Sequence, residues 1–136
     1  MSSKLAAVMG SVLIAGGLLT GLAAPASATG PCGSGYNRVG VYAIPESGTR
    51  VGTLEVYYNS SSGKNCALTY GYGSTAGTTT FKGVSIRLSG SYQGETEGGN
   101  YVYYAGPVYT SAPGKCIDVQ GSVKNAKRWV GSVHCG

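Results

Sequence analysis

Two patterns of hydrophobic positions divide the chain. Residues 5–24 form an apolar run of aliphatic and small side chains, preceded by Lys4 and followed by Ala26-Ser27-Ala28. A positive start, an apolar middle and a small-x-small exit are typical of a secretory signal peptide. The pattern predicts cleavage after Ala28, which would leave residues 29–136 as the mature protein.

A membrane anchor is the alternative interpretation of the first segment, because the run approaches the length of a spanning helix. Four glycines interrupt it, however, and the next basic residue is Arg38, so no stop-transfer cluster follows. These features favour removal of residues 1–28. No later stretch is apolar enough to span a bilayer, and we therefore expect a secreted protein with no membrane attachment after removal of this leader.

Beyond residue 29, apolar positions alternate with polar ones, which is the period of a β-strand. Residues 84–89 are the clearest case, since Val84, Ile86 and Leu88 share one face. No window carries apolar residues at helical spacing, although one helical turn could fit within residues 121–127. The pattern predicts about seven short strands, at residues 39–44, 50–58, 66–72, 84–89, 101–104, 115–119 and 128–133.

Segments rich in glycine, proline and asparagine separate these strands, and residues 94–100 are one such predicted turn. Short strands with regular turns predict a single all-β domain, a small antiparallel sandwich or barrel. The predicted core consists of six aliphatic residues: Leu54, Val56, Leu68, Val84, Ile86 and Leu88.

Four cysteines follow the leader, at Cys32, Cys66, Cys116 and Cys135. No Cys-x-x-Cys pair is present, so the sequence predicts no metal site. An even number of cysteines in a small secreted domain indicates disulfides. Three connectivities are possible, and we favour Cys32–Cys66 and Cys116–Cys135 because these link neighbouring segments without crossing. Each bridge would contribute roughly 3–4 kcal/mol in the chain-entropy model.

Composition makes the core of this domain small. The chain has 24 glycines and only one phenylalanine and one tryptophan, whereas its 11 tyrosines all follow the leader. Tyrosine combines a large apolar ring with a hydroxyl that needs a partner or water. We therefore expect tyrosine to replace some of the aliphatic side chains that a larger core would use.

The net charge is mildly positive. Without Lys4, nine basic residues face five acidic ones, a net charge of +4, and only residues 124–128 cluster three basic side chains. A nucleic-acid-binding protein would show a stronger basic footprint together with aromatic residues placed to stack on bases. We therefore expect no nucleic-acid partner, whereas weak attraction to an anionic cell-wall polymer is compatible with this charge.

Candidate catalytic groups are few. Glu95 and Glu97 would point to the same side of an extended strand, and glycosidases use two carboxylates. Their glycine-rich surroundings instead favour a solvated loop. Asp118, His134 and a serine have the residue types of a catalytic triad. The sequence, however, has no Gly-x-Ser-x-Gly turn of the kind that presents a nucleophilic serine. We therefore expect no catalytic residues, no cofactor and no enzymatic activity.

Tyrosines crowd the segment near residue 101 and form the candidate binding surface. A row of exposed aromatic rings on a rigid sheet can hold sugar rings or pack against a polymer, whereas buried rings would only fill the core. The low aliphatic count favours the core interpretation, and polysaccharide binding is kept as the alternative function. The four candidate residues are Tyr101, Tyr103, Tyr104 and Tyr109.

Several short motifs resemble a known family when they are taken in order. They are residues 32–36 (CGSGY), 58–66 (YNSSSGKNC), 104–109 (YAGPVY), 113–118 (PGKCID) and the final Cys135-Gly136. Together they resemble the spore-associated protein A family of secreted proteins from filamentous actinobacteria. The resemblance implies a small, exported, non-enzymatic protein located at the spore or cell surface, and it implies no catalytic residues. Its partner would be a surface polymer of the spore or cell wall, and the oligomeric state stays open.

Overall fold

The computed structural model describes residues 30–136, and the predicted leader with its cleavage site lies outside the described residues. Within this range, no helix has the length and apolar character needed to cross a membrane. The described chain forms one short 3₁₀ turn and eight strands: β1 (Asn37–Ile44), β2 (Gly52–Asn59), β3 (Lys64–Gly71), β4 (Thr80–Leu88), β5 (Gly94–Tyr101), β6 (Tyr104–Ser111), β7 (Ile117–Val123) and β8 (Ala126–Val133).

The strands form two antiparallel sheets of four strands each. The first sheet has the order β1-β2-β3-β6, and the second has the order β5-β4-β7-β8. The chain therefore passes from the first sheet to the second after β3, returns between β5 and β6, and crosses again before β7. The prediction of an all-β antiparallel sandwich is confirmed, with eight strands in place of about seven.

The core lies between the two sheets and is built by the alternating aliphatic positions. Leu54, Val56, Val84 and Ile86 are buried there as predicted, and Leu88 packs against them while half-buried. Leu68 is also buried, but it belongs to a second cluster with Cys32 and Cys66. The prediction that Leu68 is a core residue is therefore confirmed, although its neighbours belong to this second cluster.

Both predicted disulfides are present. Cys32–Cys66 fastens the segment before β1 to β3. Cys116–Cys135 joins the segment before β7 to the segment after β8. The bridges thus fasten chain segments outside the first and last strands to the body of the sandwich.

Three local predictions are wrong. Residues 94–100, predicted as a turn, form most of β5, whose backbone pairs with β4 along its length. Residues 101–104, predicted as one strand, contain the turn between β5 and β6. A helical turn within residues 121–127 is excluded because β7 continues to Val123 and β8 begins at Ala126. In the first and third cases backbone pairing with a neighbouring strand outweighs the local pattern of side chains.

Candidate functional site

Three of the four predicted surface tyrosines lie together, and the fourth lies further along β6. Tyr101 ends β5 in the second sheet, packs against the core and donates its hydroxyl hydrogen to Glu97. Tyr103 lies in the turn and is 67% exposed. Tyr104 begins β6 in the first sheet, and Tyr109 follows on the same strand. Tyr101, Tyr103 and Tyr104 nevertheless line one open depression of about 350 Å³, and Tyr109 is not part of its lining.

A different set of tyrosines covers the outer side of the first sheet, and we call it the tyrosine face. Tyr36 lies 5.7 Å from Tyr109 and Tyr70 lies 5.5 Å from Tyr104, measured between ring centroids. The rings surround the cluster formed by Leu68 and the Cys32–Cys66 bridge. The members are Tyr36, Tyr57, Tyr70, Tyr104 and Tyr109.

Hydroxyl contacts fix several rings of the tyrosine face. Tyr109 Oη donates to the carbonyl oxygen of Cys32 at 2.8 Å. Tyr57 Oη donates to Glu55 Oε1 at 2.6 Å. Burial, together with the hydrogen bond to Glu55 and the charge of that carboxylate, raises the pKa of Tyr57 to about 12. The tyrosine face is therefore largely a small second core, as the shortage of aliphatic side chains led us to expect.

The outer side of the second sheet carries a polar row that ends in an aromatic ring. Thr96, Ser85, Gln120 and Trp129 are paired in register across β5, β4, β7 and β8. Strands in a sheet lie about 4.8 Å apart, so this row spans about 14 Å. Because the partners are directly opposite, their side chains emerge side by side on one face.

This row forms the floor of an open groove of about 350 Å³. Tyr92, which is 98% exposed, and Trp129, which is 58% exposed, stand beside it. A second depression of about 320 Å³ shares three residues of the row, Ser85, Thr96 and Gln120, and extends the groove towards Phe81. We call this surface the polar groove and define it by Ser85, Thr96, Gln120, Tyr92 and Trp129.

An ion pair fixes one end of the polar groove. Asp118 accepts hydrogen bonds from Arg87 Nε at 3.1 Å, from Ser89 Oγ at 2.7 Å and from the backbone N–H of Ser132 at 3.0 Å. Burial alone would raise the pKa of the Asp118 carboxyl, but these hydrogen bonds and the charge of Arg87 outweigh burial and lower it. Asp118 is therefore an ionised structural group.

The structure does not bring the candidate catalytic groups together. His134 Nε2 lies 2.8 Å from the hydroxyl of Tyr42, whereas Asp118 is bonded to Arg87, Ser89 and Ser132. Among residues 30–136 there is no cluster of three or more His, Cys, Asp or Glu side chains that could hold a metal ion.

The two glutamates of β5 join the sheets to each other. Glu95 Oε1 accepts the backbone N–H of Tyr109 at 2.7 Å, and Glu97 Oε1 accepts that of Gly106 at 2.6 Å. The prediction that they lie in a solvated loop is therefore wrong. Both carboxylates thus accept hydrogen bonds from backbone N–H groups of β6, which is an edge strand of the first sheet.

One comparison with known proteins identifies the family. The chain is 39% identical over 113 residues to Spore-associated protein A of Streptomyces coelicolor, an alignment that covers 83% of this chain and 70% of the relative. The chain belongs to the spore-associated protein A family. No family model matches it. No solved structure matches it either. The fold of this member of the spore-associated protein A family is therefore described from its own strands alone.

The polar groove was missed at the level of sequence. Its residues come from four strands and one loop, and none belongs to the tyrosine-rich segment. The alternation at residues 84–89 does place Ser85 and Arg87 on the face opposite the core. Only the strand order shows that Gln120 and Trp129 stand beside them.

Proposed function

We propose that this protein is a secreted, non-catalytic structural protein that associates with the spore or cell surface. The observation that carries the proposal is the 39% identity to a relative named for spore association. The apolar leader supports export. The carboxylates of Asp118, Glu95 and Glu97 are already occupied by hydrogen bonds within the protein, which supports the absence of catalysis.

Fractionation of a sporulating culture tests this proposal. Immunoblots should detect the protein on washed spores. The amino terminus of this protein should be Thr29. A chain that lacks residues 2–28 should stay inside the cells. A secreted protein without surface affinity and a cytosolic protein serve as controls for washing and lysis. If the protein is found only in the medium, the surface role is wrong, and an intact leader on the exported chain would contradict cleavage.

Polysaccharide binding is the second candidate function, and the polar groove favours it. Sugar rings present apolar C–H faces that pack on aromatic rings and hydroxyls that pair with side chains such as those of Gln120 and Ser85. A row of about 14 Å is long enough for a short oligosaccharide to lie along it. The groove is thus a second surface that supports this function, beside the depression lined by Tyr101, Tyr103 and Tyr104.

Pull-down on chitin, cellulose and peptidoglycan, each at low and high salt, tests the second candidate. Binding through aromatic stacking should persist at high salt, whereas attraction through basic residues should be screened. Trp129→Ala should weaken binding about fivefold, since a stacked ring contributes on the order of 1 kcal/mol. Tyr103→Ala, which removes an equally exposed ring outside the groove, is the matched control. Equal loss in both variants, or binding only at low salt, would exclude the groove.

A further inference from the structure

A small pocket opens at one end of the sandwich, away from the polar groove. It lies where β1, the end of β2 and the start of β3 meet the segment after β8, and its volume is about 130 Å³. The lining residues include Val39, Tyr58, Asn65, His134 and Cys135. The last of these is bonded to Cys116, so a disulfide fixes this wall of the pocket.

Asn65 is the unusual member of this pocket. Its side chain is 0% exposed, and it lies two residues before Ala67 on the inward face of β3. Neither Oδ1 nor Nδ2 has a hydrogen-bond partner among residues 30–136. Buried polar groups in native proteins are rarely left without partners, because an unsatisfied donor or acceptor costs its full desolvation penalty. An amide in this position therefore calls for a binding partner.

The walls around Asn65 are mainly apolar and held in place. Val39 and the ring of Tyr58 contribute carbon surface, and the disulfide adds sulfur. His134 is held by the hydroxyl of Tyr42, at 2.8 Å, and its ring lies over Gly40, where a Cβ would come within 2.6 Å of Nε2. Pockets of this kind, apolar with one well-placed polar group, are typical of small-ligand sites.

We propose that this pocket binds the acetamido group of an N-acetylated ligand. The carboxamide of Asn65 can donate from Nδ2 to the acetyl carbonyl and can accept at Oδ1 from a neighbouring N–H or O–H of the ligand. The methyl group would pack against Val39 and Tyr58. The pocket volume of about 130 Å³ leaves room for a group as small as acetamido.

Two sources carry this chemistry, an N-acetylated sugar and an acetylated peptide, and titration of the folded protein followed by NMR separates them. The trimer of N-acetylglucosamine should shift the side-chain amide signal of Asn65 together with signals of Tyr58 and His134. Cellotriose, which has a hydroxyl in place of each acetamido group, should leave them unchanged. N-acetyl-alaninamide tests the peptide source. A shift with either acetylated probe supports the site, whereas no shift with both, or an equal shift with cellotriose, overturns it.

Replacement of Asn65 separates ligand binding from a structural role such as holding a buried water. Asn65→Leu removes the unpartnered amide, so it should weaken binding at least tenfold without lowering the midpoint of urea unfolding. Asn100→Leu, at an exposed position of β5, is the control for the change of chemistry. A lowered midpoint with unchanged affinity would show that the amide is structural and would overturn the proposal.

A second pair of variants leaves Asn65 in place. Val39→Trp should fill the mouth of the pocket and abolish the shifts, whereas Val41→Trp, at an exposed position two residues along β1, should not. Trp129→Ala should also leave the shifts unchanged, so failure of the groove and failure of this pocket are distinguishable. Loss of the shifts in Val41→Trp to the same degree as in Val39→Trp would contradict the site.

Discussion

Asp118 shows how a single carboxylate can link several elements of the fold. It receives hydrogen bonds from β4, from the loop after β4 and from β8. Its pKa is lowered in the folded protein, so its contribution to stability is present above the unfolded pKa of about 4 and is lost as pH falls through the folded value. Stability should therefore decline in acid in part through this residue.

We predict that Asp118→Asn lowers the free energy of unfolding by about 1–3 kcal/mol at neutral pH, because Arg87 loses its charged partner. The loss should shrink in strong acid, where the carboxylate is protonated in the wild type as well. Urea unfolding at several pH values measures this effect. Glu46→Gln is the control, since Glu46 forms only an exposed ion pair with Arg128 at 3.8 Å and should change stability little. An effect of Asp118→Asn that is independent of pH would contradict the electrostatic explanation.

Tyr57 gives the opposite dependence on pH. With a folded pKa of about 12 against an unfolded value of about 10, its contribution is fully present below pH 10 and is lost as pH rises towards 12. Difference absorbance between the wild type and Tyr57→Phe should reveal one tyrosine that ionises near pH 12. A difference spectrum in which no tyrosine ionises near pH 12 would refute the assignment.

At the scale of elements, β5 and β6 depend on each other although they belong to different sheets. Glu97 accepts hydrogen bonds from the backbone of Gly106 and from the hydroxyl of Tyr101. We predict that Glu97→Ala lowers the free energy of unfolding by about 1–3 kcal/mol, since both donors lose their acceptor. Hydrogen exchange at the Gly106 amide should accelerate. Thr96→Ala, on the outward face of the same strand, should leave that exchange rate unchanged, and equal acceleration in both would show that β5 frays as a whole.

This dependence also explains which elements could be predicted from sequence. The strands β2, β3 and β4 carry apolar alternation, and the predicted segments overlap them. The strand β5 has none, because its inward positions hold Glu95 and Glu97, which bind backbone donors of β6 instead of packing in the core. Such a strand is specified by its neighbours, and its own residues are typical of a turn.

Lys82 illustrates a second limit of prediction from sequence. A lysine is expected at the surface, yet this one is fully buried and donates to the carbonyl oxygens of Thr78 and Tyr101 and to Thr80 Oγ1. Its position two residues before Val84 places it on the inward face, so the alternation did contain this information. The three acceptors that make burial tolerable come from β4, β5 and the loop before β4, which no local pattern reveals.

For the candidate surfaces, sequence indicated aromatic residues but not their arrangement. Tyr104 and Tyr109 lie on the tyrosine face with rings from the segment before β1 and from β2 and β3. The groove residues Ser85 and Gln120 are 35 positions apart and are adjacent only because β4 pairs with β7. Strand order is a property of the whole fold, and the alternation within one strand does not determine it.

At the scale of the whole molecule, stability depends on two disulfides because the core is small. The cysteines of the Cys32–Cys66 bridge are 34 residues apart in sequence, and those of the Cys116–Cys135 bridge are 19 apart. For loops of these lengths the chain-entropy model gives about 4 and about 3 kcal/mol of stabilisation. Domains of this size are stable by about 5–15 kcal/mol in total, so the two bridges together supply a large share. Such bridges persist in the oxidising environment that the proposed export would provide.

We predict that the double variant Cys116→Ser/Cys135→Ser loses about 3 kcal/mol of unfolding free energy and stays folded. Cys32→Ser/Cys66→Ser should lose somewhat more, because it opens the longer loop and leaves the buried cluster beneath the tyrosine face without its bridge.

Reduction of both bridges should shift thermal unfolding to far lower temperature, as measured by far-ultraviolet circular dichroism with and without reductant. Ser34→Ala/Ser111→Ala is the control for substitution near the bridges. If the fully reduced protein unfolds at the same temperature as the oxidised one, the aliphatic core and its tyrosines suffice, and the disulfides do not account for the stability of so glycine-rich a domain.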